Sequence, residues 1–187
     1  MILLLLQFSS DDRRLASRSD DKTIKTWVTA TGAYLNTLNG HSYWVTFEVF
    51  SSDGQHLASS SDDTTVKIWD TATDKGLHTL RGNAVSVNIM VFWSTGQHLA
   101  SGSGDKTLKI SDLQPLEGHF QWPRSVVSSS FGQRLPPSSY DKTVKIWNIT
   151  TDTYRRSIRI GQVLVRLSFD PTTHSLPLYW YWSTTQY

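Results

Sequence analysis

The chain has 187 residues, enough for one domain with a sizeable core, and its 18 Lys and Arg nearly balance 16 Asp and Glu to a net charge of +2. That balance gives no indication of a charge-driven nucleic-acid or membrane-surface binder, and a 38% hydrophobic content is not that of a disordered tail. The absence of cysteine removes a disulfide framework, a thiolate metal site and a cysteine nucleophile, while eight Trp in a Ser/Thr-rich chain point to β structure.

In chain order, the opening MILLLLQF carries an apolar run, Ile2 to Leu6, that lacks a basic lead and is far shorter than a membrane span. It predicts a buried strand in an intracellular, cytoplasmic protein with no membrane role. Next comes a box that repeats four times: DDKTIKTW (20–27), DDTTVKIW (62–69), GDKTLKIS (104–111) and YDKTVKIW (140–147). The first three copies are evenly spaced, and the last follows at a shorter interval. Upstream, LNGH (38–41), LRGN (80–83) and LEGH (116–119) keep a fixed offset, so Gly40 to Trp69, Gly82 to Ser111 and Gly118 to Trp147 all span the same interval. The shortening therefore falls between Asp112 and Leu116, outside the constant cassette, and the pattern is one of tandem structural units.

The second unit is the fullest. Val45 to Phe50 reads as a strand, and Ser52-Asp53-Gly54-Gln55 as a hairpin turn. Leu57 to Ser60 is a second strand, followed by a tight turn at Asp62-Asp63. Thr65 to Trp69 alternates with period two, and a polar step at Thr71 to Lys75 leads to a last short run ending at Leu80. Four short strands per unit cannot bury both faces of their own sheet, so neighbouring units must stack on it. The architecture expected is all-β, a propeller of radially stacked blades.

The GH step, followed at that constant interval by a WD-type end, resembles the WD40-repeat β-propeller family, and the SDDKTVKIWD-like phrasing is most similar to the WD-repeat region of fungal NACHT–WD proteins. IRIGQVLVRLSFDP (158–171) is similar to a degenerate last repeat of that kind. The resemblance implies a partial propeller over residues 1–187, with blades at 1–38, 39–80, 81–116 and 117–158 and a degenerate remnant at 159–187. It implies a structural tetrad of loop His, second-strand Ser, turn Asp and third-strand Trp: His41, Ser59, Asp63 and Trp69. A buried His and Asp can satisfy one another, and the indole N–H needs an acceptor, so a His/Ser/Asp set that superficially suggests a hydrolase is read as structural.

Partial tetrads are expected elsewhere. Ser17, Asp21 and Trp27 keep their spacing in the first blade, where Arg18 occupies a position expected to be small. The third retains Ser101 and Asp105 but has Asn83 for His and Ser111 for Trp, so Asp105 is expected to be short of two partners and this blade the weakest. The fourth keeps His119, Asp141 and Trp147, yet Pro123 falls in its inner strand and Pro136-Pro137 in its second, where proline weakens pairing.

Other motifs are read as bland. The six His show no metal spacing, and His56 and His98 are expected in exposed turns. SGSGDKT (101–107) is a strand–turn–strand without phosphate-loop spacing, and Lys67, Lys109 and Lys145 recur on a solvated strand face. The basic group Arg155, Arg156, Arg159 and Arg166 has no sequence-reading features around it, so no nucleic acid is expected. No metal or cofactor is expected either.

Recognition remains. The resemblance places partner contacts three and five residues after the loop His and one before the turn Asp: Trp44, Thr46 and Asp62 in the second blade, Trp122, Arg124 and Tyr140 in the fourth. The other blades offer Ser86, Asn88 and Gly104, and Asp20. Such a rim implies a protein partner and a non-catalytic scaffold, against the alternative that the aromatics only pack between blades. Four blades and a remnant imply an incomplete, open propeller that could associate with another propeller fragment; a degenerate fragment without its own activity is the alternative.

Overall fold

Period-two alternation and turn chemistry set the local structure. A computed structural model describes residues 3–93, 98–110, 121–126, 134–148 and 153–159, all of it strand, turn or irregular backbone. The first sheet holds β1 (Leu3–Phe8), β2 (Arg14–Ser19), β3 (Ile24–Val28) and β4 (Tyr34–Leu38) in antiparallel order. The second repeats it with β5 (Val45–Phe50), β6 (His56–Ser61), β7 (Val66–Asp70) and β8 (Gly76–Leu80), matching the four runs read from the sequence. Three strands of the third are described: β9 (Val87–Phe92), β10 (Leu99–Ser103) and β11 (Leu108–Ile110).

The fourth sheet begins with β12 (Pro123–Val126). Its second strand is broken at Pro136 into β13 (Arg134–Leu135) and β14 (Pro137–Ser139), which both pair with β15 (Thr143–Asn148); β16 (Thr153–Arg159) closes the sheet. The interruption follows from proline's missing ladder donor. Only Ser138↔Val144 joins β14 to β15. The expected remnant beyond Arg159 and the expected outer strand of the third blade lie outside the described residues.

The repeat is written into the backbone as well. The residue after each turn Asp is left-handed: Lys22 at φ 71°, Thr64 at 67°, Lys106 at 72° and Lys142 at 63°. Near its start the inner strand of every sheet slips register, at Leu3/Leu5, Val45/Phe47, opposite Gly102/Ser103, and at Pro123/Ser125. These bulges twist the strand and re-aim its first side chains. Thr64 alone among the four left-handed positions is β-branched, which makes its conformation costly. Thr64→Asn is therefore expected to raise stability by about 0.5–1 kcal/mol, read as a higher urea midpoint; an unchanged midpoint would remove the strain argument.

Successive sheets stack face to face. Ala16, Ile24 and Leu38 of the first pack against Val45, Phe50, Leu57 and Trp69 of the second. Ala58 and Val66 of the second meet Val87, Met90, Phe92 and Leu99 of the third, and Ala100, Leu108 and Ile110 of the third meet Val126 of the fourth. Arg18, which looked like a defect in the sequence, reaches across the first junction: its Nη1 lies 3.3 Å from Oε2 of Glu48, whose side chain is fully buried. The pair is an ion contact without hydrogen-bond alignment, and both Glu48 oxygens lack a hydrogen-bond partner. Burial pushes the Glu48 carboxyl up to about 7 although Arg18 pulls it back. The described residues form an open array of four stacked sheets, an incomplete propeller.

Candidate functional site

The second sheet assembles its four named side chains into one chain of hydrogen bonds. The loop before β5 carries His41, β6 carries Ser59, the β6–β7 turn carries Asp63 and β7 carries Trp69. Trp69 Nε1–H donates to Ser59 Oγ at 2.9 Å, Ser59 Oγ lies 2.8 Å from His41 Nε2, and His41 Nδ1 lies 2.9 Å from Asp63 Oδ2. Asp63 accepts from nitrogen, so the consistent arrangement is a neutral imidazole protonated at Nδ1, with the Ser59 hydroxyl donating to Nε2. Asp63 also accepts Ser42 N–H, Thr65 N–H and the Thr65 hydroxyl. Gly40 seats the loop on the indole: at φ 157°, a Cβ there would lie 3.2 Å from Trp69 Cη2.

Two consequences follow for chemistry. Ser59 spends its hydroxyl hydrogen on His41 and its lone pair on Trp69 in a fully buried position, leaving no open side for a substrate. Burial pushes the His41 imidazole below its ordinary 6.5, more than Asp63 raises it. Burial also opposes ionisation of Asp63, but hydrogen bonds from Thr65, Ser42 and His41 outweigh it and hold the carboxyl at about 2. Both folded values lie below the unfolded ones. The tetrad's stabilisation is thus complete above pH 6.5, declines as pH falls through the lowered His41 value, and loses the Asp63 share between 3.8 and about 2. An acid titration followed by imidazole proton resonances should place the His41 midpoint below 6.5; a midpoint above it would mean that Asp63 overrides burial.

The other blades keep parts of this network. In the first, Trp27 Nε1–H donates to Ser17 Oγ at 3.1 Å, and Asp21 accepts from Thr23. In the third, Asp105 is not left short of partners. It accepts Ala84 N–H at 2.9 Å, Thr107 N–H at 3.0 Å and the Thr107 hydroxyl at 2.6 Å. The carboxylate needs only the loop amide and the turn Thr, both of which survive; the stranded group is instead the buried Oδ1 of Asn83, in a blade where Ser101 is also buried. In the fourth, Asp141 caps its turn through its own amide to Ser139 Oγ. His119 and the Trp147 side chain lie outside the described residues.

Sequence reasoning missed a second repeated device. Two residues before every turn Asp stands a buried serine, Ser19, Ser61, Ser103 or Ser139, whose Oγ accepts that Asp's amide. Ser61, Ser103 and Ser139 also donate to a loop carbonyl, that of Tyr43, Val85 and Gln121 respectively. They hold the loop before each inner strand against the turn. The Ser-x-Asp spacing was in the sequence, hidden by the abundance of serine.

The proposed rim lies at this loop–turn end. Trp44 is 49% exposed, Trp122 53% and Tyr140 41%, so these rings do not pack between blades. Asp62 N–H donates to the Trp44 carbonyl and Tyr140 N–H to that of Trp122, so the same backbone contact sets each pair side by side. Tyr43, also exposed, lies against Trp44 with ring centroids 5.7 Å apart, and Lys22 Nζ sits 5.9 Å from the Tyr43 centroid. Thr46 is spent differently: at the β5 bulge its hydroxyl donates to the Val87 carbonyl of the next sheet. The Arg124 side chain is not among those described. His56 and His98, both expected to be exposed, are half-buried, His98 edge-on to Trp93 with ring centroids 5.6 Å apart. Among the described residues no cluster of His, Asp and Glu is arranged to hold a metal, and no helix is long and apolar enough to cross a membrane.

Stacked antiparallel sheets, the second tied by a complete His–Ser–Asp–Trp network, define a propeller of tandem repeats. The WD domain, G-beta repeat family matches residues 5–27, 32–70 and 74–112, more than half of the chain, and the chain belongs to that family. No curated protein matches it. WD repeats generally serve as protein-interaction scaffolds and are typically non-catalytic.

Proposed function

We propose that this chain is a non-catalytic scaffold that binds a protein partner through the loop–turn rim. The observation carrying the reading is the exposure of Trp44, Trp122 and Tyr140 at matching positions of two blades, with Tyr43 extending the first pair. Large aromatics held by fixed backbone contacts offer contact area at low ordering cost, which suits binding hot spots. The buried tetrad is mortar between strands, and no enzyme activity is assigned. The resemblance to fungal NACHT–WD proteins supports an origin in the sensor region of an intracellular, cytoplasmic signalling protein, and the open end of the array supports association with another propeller fragment. Peptides selected against the wild-type chain from a display library should bind Trp44→Ala or Trp122→Ala at least about tenfold more weakly, with the melting transition unchanged. Equal binding to both variants would rule the rim out.

A further inference from the structure

The chain contains one Asn-Gly step, Asn39-Gly40, and one Asp-Gly step, Asp53-Gly54. Either can close to a five-membered succinimide, because glycine has no Cβ to keep its amide nitrogen from the preceding side-chain carbonyl carbon. The fold treats the two differently. In the turn between β5 and β6, Gly54 N–H is spent on the Ser51 carbonyl at 2.9 Å, and Asp53 Oδ1 accepts the Ser51 hydroxyl and Gln55 N–H. The bonds from Ser51 and then Gln55 hold the Asp53 carboxyl below its ordinary value, so it stays an anion, the form least open to a nucleophile.

Asn39 lies in the opposite situation. It follows β4 at the start of the loop that leads to His41, and both it and Gly40 are exposed. Among the described residues Gly40 N–H has no hydrogen-bond partner. The Asn39 side chain is a neutral amide whose Nδ2 donates to the Thr37 carbonyl at 3.3 Å. The corresponding glycines of the next loops follow Arg81 and Glu117, so the reactive step occurs only ahead of the complete tetrad. We propose that Asn39-Gly40 is a site of spontaneous covalent modification, where deamidation to isoaspartate releases the second sheet's loop from its tetrad.

The reaction needs only water and hydroxide. Hydroxide takes the Gly40 N–H proton and the nitrogen attacks Asn39 Cγ. The N–Cγ bond forms as Cγ–Nδ2 breaks, and Nδ2 takes a proton from water and leaves as ammonia. Water then opens the succinimide. Opening at Cγ gives aspartate; opening at the main-chain carbonyl carbon gives isoaspartate, whose backbone runs through Cβ and Cγ and is one methylene longer. An amide and water have become a carboxylate and ammonium, with nothing oxidised or reduced.

The two products differ in what they do to the loop. Leu38 is buried in the first junction and His41 in the tetrad, so the extra methylene of isoaspartate must fit between two fixed ends. The loop cannot shift inward, since a Cβ on Gly40 would already stand 3.2 Å from Trp69 Cη2. It moves outward, and the contacts given up are those of His41 to Asp63 at 2.9 Å and Ser59 at 2.8 Å. Ordinary aspartate keeps the backbone spacing. Its carboxylate enters the cleft that residue 39 shares with Lys67 and Thr79, where it meets the Lys67 ammonium, and the tetrad stays closed.

The full chain, aged at mildly alkaline pH, is mapped by peptide mass, with an isoaspartyl methyltransferase and labelled S-adenosylmethionine as the probe for isoaspartate. Position 39 should react within about tenfold of the rate in a free peptide of residues 36–43, as an exposed loop with little local protection would. Position 53 should react at least about tenfold more slowly than in a free peptide of residues 50–57. Asn39→Gln, which would have to close a six-membered ring, should keep position 39 unmodified under the same conditions. A second set of His41 imidazole resonances should grow in step with isoaspartate and fade on repair by unlabelled S-adenosylmethionine and the methyltransferase. Freshly prepared Asn39→Asp should show the original set alone. An Asn39 that survives in the folded chain while its peptide reacts would overturn the proposal, as would isoaspartate that accumulates while the His41 resonances stay single.

Discussion

Arg18→Ser is expected to destabilise the chain by about 3 kcal/mol at about pH 9, where the Glu48 carboxyl of the folded wild type is ionised, whereas Arg18→Ser combined with Glu48→Met should fall within about 1 kcal/mol of the wild type or above it. Removing the guanidinium takes from a fully buried carboxyl the cation that stood 3.3 Å away. The geometry is far from ideal, because neither Glu48 oxygen has a hydrogen-bond partner, so desolvation of the two charges is poorly repaid. The chain contains its own control: one repeat further on, the same two positions are Ser60 and Met90, and that junction is apolar. Urea unfolding of the three chains decides it. The folded Glu48 carboxyl titrates at about 7 against an ordinary 4.5, so its contribution is whole below 4.5 and is lost as pH rises through 7. The deficit of Arg18→Ser should accordingly shrink on acidification. A double variant as unstable as the single one would mean that volume, and not charge, governs the junction.

Ser59→Ala should cost about 3 kcal/mol, while Ser101→Ala, at the same position of the third blade, should cost less than about 1 kcal/mol. One oxygen in the second blade serves two buried groups, the Trp69 N–H at 2.9 Å and His41 Nε2 at 2.8 Å, and deleting it orphans both. In the third blade Asn83 and Ser111 replace those partners, so little remains to be orphaned. Thermal melts of both variants compare them directly. Equal losses would mean that the hydroxyl acts through local packing, and the tetrad would lose its standing as the joint between loop and sheet.

The regular part of this fold was legible because it is periodic: a strand of alternating Val66, Lys67 and Ile68, a turn Asp at constant spacing, and prolines that break β13 from β14 where they stand. The tetrad was legible for the same reason, since its members recur at fixed offsets and each can satisfy the next. What escaped were contacts between units. Arg18 and Glu48 each look anomalous alone, and only the facing of β2 onto β5 makes them a pair. Thr46 was placed on the rim by its offset, but the bulge at Val45/Phe47 turns its hydroxyl toward the neighbouring Val87 carbonyl. His98 was read as a turn residue, yet the indole of Trp93, which has no counterpart in the second blade's Ser51, lies against it. A local pattern specifies a strand; it does not say what will lean on it.

The ion contact between the first two sheets also governs how such a gene can grow. Duplicating the third unit in place would set the Gly102 position against a second Met90 and disturb nothing. Inserting a copy of the first or third unit between the first and second would instead confront Arg18 with a leucine or a methionine, and a second copy of the second unit would set a Glu48 against Ser60, each stranding a buried charge. The first two repeats are thereby locked in order and must be inherited together, while the array remains free to lengthen downstream of them.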